Sequence, residues 1–178
     1  MVWSQEGVEV PLNTSFLDIP SGTYKKDLNN VLDPYIGVWK GTLNSRRFTL
    51  YIDKYERKLF PQSNGDYYYC DILIGRYEYI NLNTGEVYQD NSYNWNFDEA
   101  KITSLSKPKN NLFTFRFRDS DYCLNTATIT LVGDPTIGQI GYRYNYVGDW
   151  NMVNNCPYTH PSQMPIPIPE FSMNLIRQ

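Results

Sequence analysis

From Gly37 onward the chain shows a period of two, broken at short intervals by turn residues. Phe48, Leu50 and Ile52 alternate with Thr49, Tyr51 and Asp53. Phe113, Phe115 and Phe117 alternate with Thr114, Arg116 and Arg118, and Ala127, Ile129 and Leu131 alternate with Thr126, Thr128 and Thr130. Successive side chains on a strand point to opposite faces, so each run marks a strand with one buried face. Asn44-Ser45, Asn64-Gly65, Asn83-Thr84-Gly85 and Gly133-Asp134-Pro135 supply turns between them. Sixteen tyrosines and eight phenylalanines suit a pleated, half-buried surface. Alanine, the best helix former, occurs only at Ala100 and Ala127.

About nine strands joined by hairpin-length turns place sequence neighbours side by side in a sheet. A meander that long must hide its two edges, and closing into a barrel does so. The expected fold is therefore all-β, an antiparallel meander closed into a barrel of about eight or nine strands. A two-sheet β-sandwich is the alternative. At 178 residues one domain is ordinary. It divides into an N-terminal arm, residues 1–36, and a barrel, residues 37–178.

The arm has little periodicity. A short helical turn is expected near Asp27 to Leu32, with Leu28, Val31 and Leu32 sharing a face and Pro34 stopping it. In the long run Tyr67 to Ile80 the apolar set is Cys70, Ile72 and Ile74 before Gly75, then Tyr77 and Tyr79 after it. That change of phase predicts a β-bulge at the glycine. Arg46-Arg47 and the basic run Lys54 to Lys58 read as solvated strand edge. A coil rich in Asn and Pro follows Gly148, and a last strand, Phe171 to Arg177, is placed to cross a barrel end and close it.

The formal charge of −3 argues against nucleic acid, which needs a basic footprint. Cys70, Cys123 and Cys156 have no CxxC spacing, and there is one histidine, His160, so no metal site or cofactor is expected. Cys70 reads as a small buried hydrophobe. Cys123 and Cys156 lie in or beside loops, where they are available to pair in an oxidising compartment. Cys156 with His160 falls in a proline-rich coil that holds no catalytic geometry by itself. Asp119, Asp121 and Asn125 offer oxygens for calcium, but such a site takes six or more, and Asp-Ser-Asp between strands is turn chemistry. Asp71 is the one carboxylate within an apolar strand face and reads as pointing outward.

The segment from Leu28 to Thr42, LNNVLDPYIGVWKGT, carries Gly37-x-Trp39 at the start of the first strand. It resembles the lipocalin and wider calycin pattern, in which the Trp plugs one barrel end and a basic residue near the end of the last strand lies across it. Arg177 is placed to be that residue. The chain is also similar to lipocalin-like envelope proteins of Bacteroidetes that share the stretch around DPYIGVWKGT and whose function is not established. The resemblance implies a latch of Gly37, Trp39 and Arg177, and a secreted or cell-envelope location.

Together these features lead to the expectation of a non-enzymatic, lipocalin-like envelope or secreted protein that binds a small apolar or amphipathic ligand at one barrel mouth. The rival is a structural or adhesive module whose barrel its own aromatics fill. A hydrolase with an unrecognised site is third. Tyr68, Trp95 and Trp150 are the candidate ligand contacts, because Tyr and Trp serve well where one face of a ring is wet.

Overall fold

A computed structural model describes residues 7–15, 17, 19–89, 100–105, 107–119, 124–146, 156–158, 163 and 168–178. It is 57% strand and 6% helix. The strands are β1 (Glu9–Pro11), β2 (Tyr24–Lys26), β3 (Gly37–Leu43), β4 (Arg46–Pro61), β5 (Tyr67–Asn81), β6 (Val87–Gln89), β7 (Ile102–Ser104), β8 (Leu112–Asp119), β9 (Leu124–Val132), β10 (Gln139–Tyr146) and β11 (Met173–Arg177). They lie in the order β5-β4-β3-β11-β10-β9-β8-β7, and β7 pairs back onto β5. These eight antiparallel strands form the closed barrel, and the others are additions to it. Closure depends on β11, which slots between β10 and β3 and pairs Arg177 with Trp39.

The alternation read in the sequence fills the barrel. Phe48, Leu50 and Ile52 are at most 1% exposed, as are Phe113, Phe115 and Phe117, while Arg116 is exposed. Phe48 meets Tyr142 at 5.0 Å between ring centroids, Phe113 meets Phe115 at 4.6 Å, and Tyr77 meets Phe117 at 5.7 Å. Such tilted and edge-on contacts add to the burial of each ring. Tyr35 contacts Phe113 at 4.8 Å from the end nearest β3. At the other end Tyr142 donates to the carbonyl of Pro169, and Ile168 beside it is fully buried.

Three local expectations are corrected. First, no bulge stands at Gly75: the β4–β5 ladder runs in register from Arg46↔Asn81 to Tyr55↔Ile72. Leu73, Gly75, Tyr77 and Tyr79 share one phase, and Leu73, Tyr77 and Tyr79 belong to the core. Gly75 instead makes room. A Cβ there would lie 2.9 Å from the side chain of Ile102, so the glycine lets β7 close against β5. The bulge is on β4, between Tyr55 and Lys58, where Arg57 takes a φ of 55°.

Second, the short helix is a 3-10 turn at Asp33–Tyr35 and not at Asp27 to Leu32. Pro34 sits in its first turn, where a missing N–H costs nothing, and so starts the turn instead of stopping it. Leu32 is buried, whereas Leu28 and Val31 are exposed. The carboxylate of Asp27 accepts from the amides of Val31 at 2.9 Å and Leu32 at 3.0 Å. A side chain that satisfies local amides in this way competes with helix formation. The otherwise aperiodic arm also supplies two strands: β1 pairs with β2, and β2 with β5, both in parallel.

Third, the basic run on β4 is not all solvated edge. Lys54 is 16% exposed in its side chain and donates to Asp27 at 3.0 Å and Asp33 at 2.9 Å. It pins the arm to the β4–β5 hairpin. Burial pulls the Lys54 ammonium down in pKa, but the hydrogen bonds it donates to Asp33 and Asp27 outweigh that and hold the group above its ordinary value.

Candidate functional site

Three regions compete as the site: the latch, the barrel interior and a lateral cleft. At the latch, Gly37 has a φ of 128°, in the region that favours glycine, and leads the chain from the 3-10 turn into β3. Trp39 is fully buried, and its indole N–H donates to the carbonyl of Tyr35 at 2.8 Å. The Arg177 guanidinium lies 4.7 Å from the Trp39 ring, within the roughly 6 Å reach of a cation–π contact. Arg177 also donates to the carbonyl of Pro34. Both carbonyls belong to the turn at Asp33–Tyr35, so the two side chains tie that turn across the barrel end.

The interior holds aromatic rings where a carrier would hold a ligand. The carboxylate of Asp119, fully buried, accepts from Tyr77 at 3.0 Å and Lys101 at 2.9 Å. Asp119 therefore points inward and is not the turn residue expected of it. Burial pushes the Tyr142 hydroxyl well above the ordinary tyrosine pKa.

The lateral cleft arises where the edge of β5 changes neighbours. Its N-terminal part pairs with β2 at Tyr69 and Cys70, and its middle pairs with β7 at Ile74 and Gly75. Between those points, from Asp71 to Leu73, β5 has no ladder partner in β2 or β7, and the hydroxyl of Ser104 caps the amide of Leu73 at 3.0 Å. A cavity of about 210 Å³ opens there. Tyr68, Cys70 and Ile72, two residues apart on β5, line it, with Lys25 of β2 and Arg116 of β8. Lys25 Nζ lies 5.7 Å from the Tyr68 ring centroid. Burial pushes the Cys70 thiol up to about 11, so it stays protonated at neutral pH.

Asp71 also borders the cleft, and the expectation that it points outward is wrong. It is 4% exposed. It accepts from the Tyr24 hydroxyl at 2.5 Å, the Asp27 amide at 2.9 Å and the Arg57 amide at 3.0 Å. The bulge at Arg57 turns that amide toward it, and the Arg57 guanidinium rests over Tyr24 at 5.5 Å and Tyr69 at 5.0 Å.

Of the three candidate ligand contacts, Tyr68 lies on the cleft, while Trp95 and Trp150 fall outside the described residues. So do Asp121, Cys123 and His160. Cys156 is disulfide-bonded and Cys70 is a free thiol. Among the described residues, no three His, Cys, Asp or Glu side chains come together as a metal site. The sequence could not reveal Lys25 and Arg116 as partners of Tyr68. They come from distant strands, and only the Tyr67-Tyr68-Tyr69 run, which forces a ring outward, hinted at this wall.

No curated protein and no solved structure matches the chain. A family model, described as a family of unknown function, DUF6705, matches residues 3–127. The match takes in the arm from residue 3, the β4–β5 hairpin and every described residue that lines the lateral cleft, but not β10 or β11. It covers well over half of the 178 residues, and the chain therefore belongs to the DUF6705 family.

Proposed function

We propose that this chain is a non-enzymatic binding module of the cell envelope or of a secreted pool, with a lipocalin-like barrel, and that it takes a small amphipathic molecule in the lateral cleft. One observation carries the reading: the barrel centre is packed with the protein's own rings, while a partly open cleft with Tyr68 and Ile72 on its wall lies outside it. Ligand pockets are concave and mostly apolar, with a few polar groups to orient the occupant. The barrel is thus the scaffold, and not the container that a lipocalin-like carrier would make of it. The disulfide-bonded Cys156 suits an oxidising compartment, and the net charge of −3 suits a partner other than nucleic acid.

The reading is tested by NMR titration of labelled protein with hexanol and hexanoate. Saturable shifts gathered at the amides of Lys25, Tyr68, Ile72 and Ser104 are the expected result. Shifts centred on Phe115 and Tyr142 would return the site to the barrel interior, and none at all would remove it. A second reading, a structural or adhesive module, draws on the same filled barrel and on the tip of the β4–β5 hairpin, where Leu59 and Tyr67 are exposed. Leu59→Glu and Tyr67→Glu would abolish adhesion in that case and leave hexanoate binding untouched.

A further inference from the structure

We infer that the lateral cleft selects a small organic anion, with its acid head held by Lys25 and Arg116 and a short apolar body laid on Tyr68 and Ile72. This rests on the cleft being a binding site, as proposed above, and adds the charge and size of its occupant. Among the described residues three cations border the cleft, each from a different part of the chain: Lys25 on β2, Lys107 after β7 and Arg116 on β8. Their convergence runs against a chain whose formal charge is −3. Lys25 and Arg116 form no ion pair among the described residues.

Among the described residues one carboxylate borders the cleft, that of Asp71, and it forms no ion pair with Lys25 or Arg116. Its oxygens accept from Tyr24 and from the amides of Asp27 and Arg57, and its single charge does not offset both cations. The Cys70 thiol, kept neutral by burial, adds no negative charge. Like charges gathered at a low-dielectric wall repel one another, and an anion between them relieves that repulsion. The Tyr68 ring holds the Lys25 ammonium against the wall. The volume, about 210 Å³, limits the body. A cavity of about 150 Å³ admits benzene, so this one suits an aromatic ring or a six-carbon chain and not a long acyl tail.

Three six-carbon amphiphiles that differ only in the head group test this: hexanoate, hexanol and hexylamine, each titrated at low salt and followed at the cleft amides. Hexanoate should bind tightest and hexylamine weakest. Added salt should weaken hexanoate and spare hexanol, because only a charged head is screened. Lys25→Gln and Arg116→Gln should each weaken hexanoate about two- to fivefold, as expected of partly exposed ion pairs, and leave hexanol unchanged. Their melting temperatures report that the fold is intact. Hexanol binding as tightly as hexanoate, or hexylamine binding more tightly, would overturn the anion assignment while leaving a binding site in place. If none of the three saturates the cleft, the site itself is refuted.

Discussion

Replacing Asp71 by Ala removes the acceptor on which the arm, the bulge and the hairpin converge. Three donors lose their partner: the Tyr24 hydroxyl, the Asp27 amide and the Arg57 amide, at 2.5, 2.9 and 3.0 Å. Arg57 is exposed, so water can reach its amide, but Tyr24 and Asp27 are buried. A stranded buried donor costs about 1–3 kcal/mol, so two of them give about 2–6 kcal/mol. For a chain of this length 1 kcal/mol moves the melting temperature by about 2–4 °C, and the middle of the range is a fall of about 12 °C. Asp71→Asn keeps one acceptor oxygen and should fall between Ala and the parent. Tyr24→Phe leaves two backbone donors on the carboxylate and should cost about 1 kcal/mol. Burial, and then the hydrogen bond to Asp71, raise the Tyr24 pKa above its ordinary 10.0. The Tyr24 contribution is therefore whole below about pH 10 and is lost only as pH climbs through the raised value. Thermal melts by circular dichroism at pH 7, with a double-mutant cycle on Tyr24 and Asp71, measure all of this. A melting temperature for Asp71→Ala within about 1 °C of the parent would refute the role given to the carboxylate.

Phe115→Ala should cost about 3–5 kcal/mol, since the ring is buried in the core against Phe113; an unchanged denaturation midpoint would refute its place in the core. A double-mutant cycle on Trp39→Leu and Arg177→Met should show coupling of about 0.5–2 kcal/mol, and zero coupling would reduce the latch to two independent contacts. Cys70 has a pKa pushed from 9.0 up to about 11, so its iodoacetamide labelling at pH 8 should run about a hundredfold slower in the folded protein than in urea. Equal rates would mean that the thiol is not buried.

The barrel was legible because its evidence is local. Period two in Phe113, Phe115 and Phe117 depends only on which way successive side chains point, and a strand that buries one face carries that pattern in its own residues. Turn positions such as Asn44-Ser45, both at positive φ, were equally local, since short polar residues tolerate the left-handed region. The latch was legible in part, because the residues at its two chain ends could be assigned to the same barrel end once closure was assumed. What the sequence could not yield depends on which distant segments meet. The change of phase around Gly75 has the form of a bulge in one dimension, but Ile72 and Ile74 are buried on the face away from the barrel core, so both faces of β5 are apolar there. Asp71 looks like an ordinary outward residue until Tyr24, Asp27 and Arg57 close on it. The arm is aperiodic because three-residue strands are too short to display a period, and they form only because the edge of β5 is there to pair with. The cleft follows from β2 and β7 sharing that edge, a fact of sheet topology carried by no single run of residues.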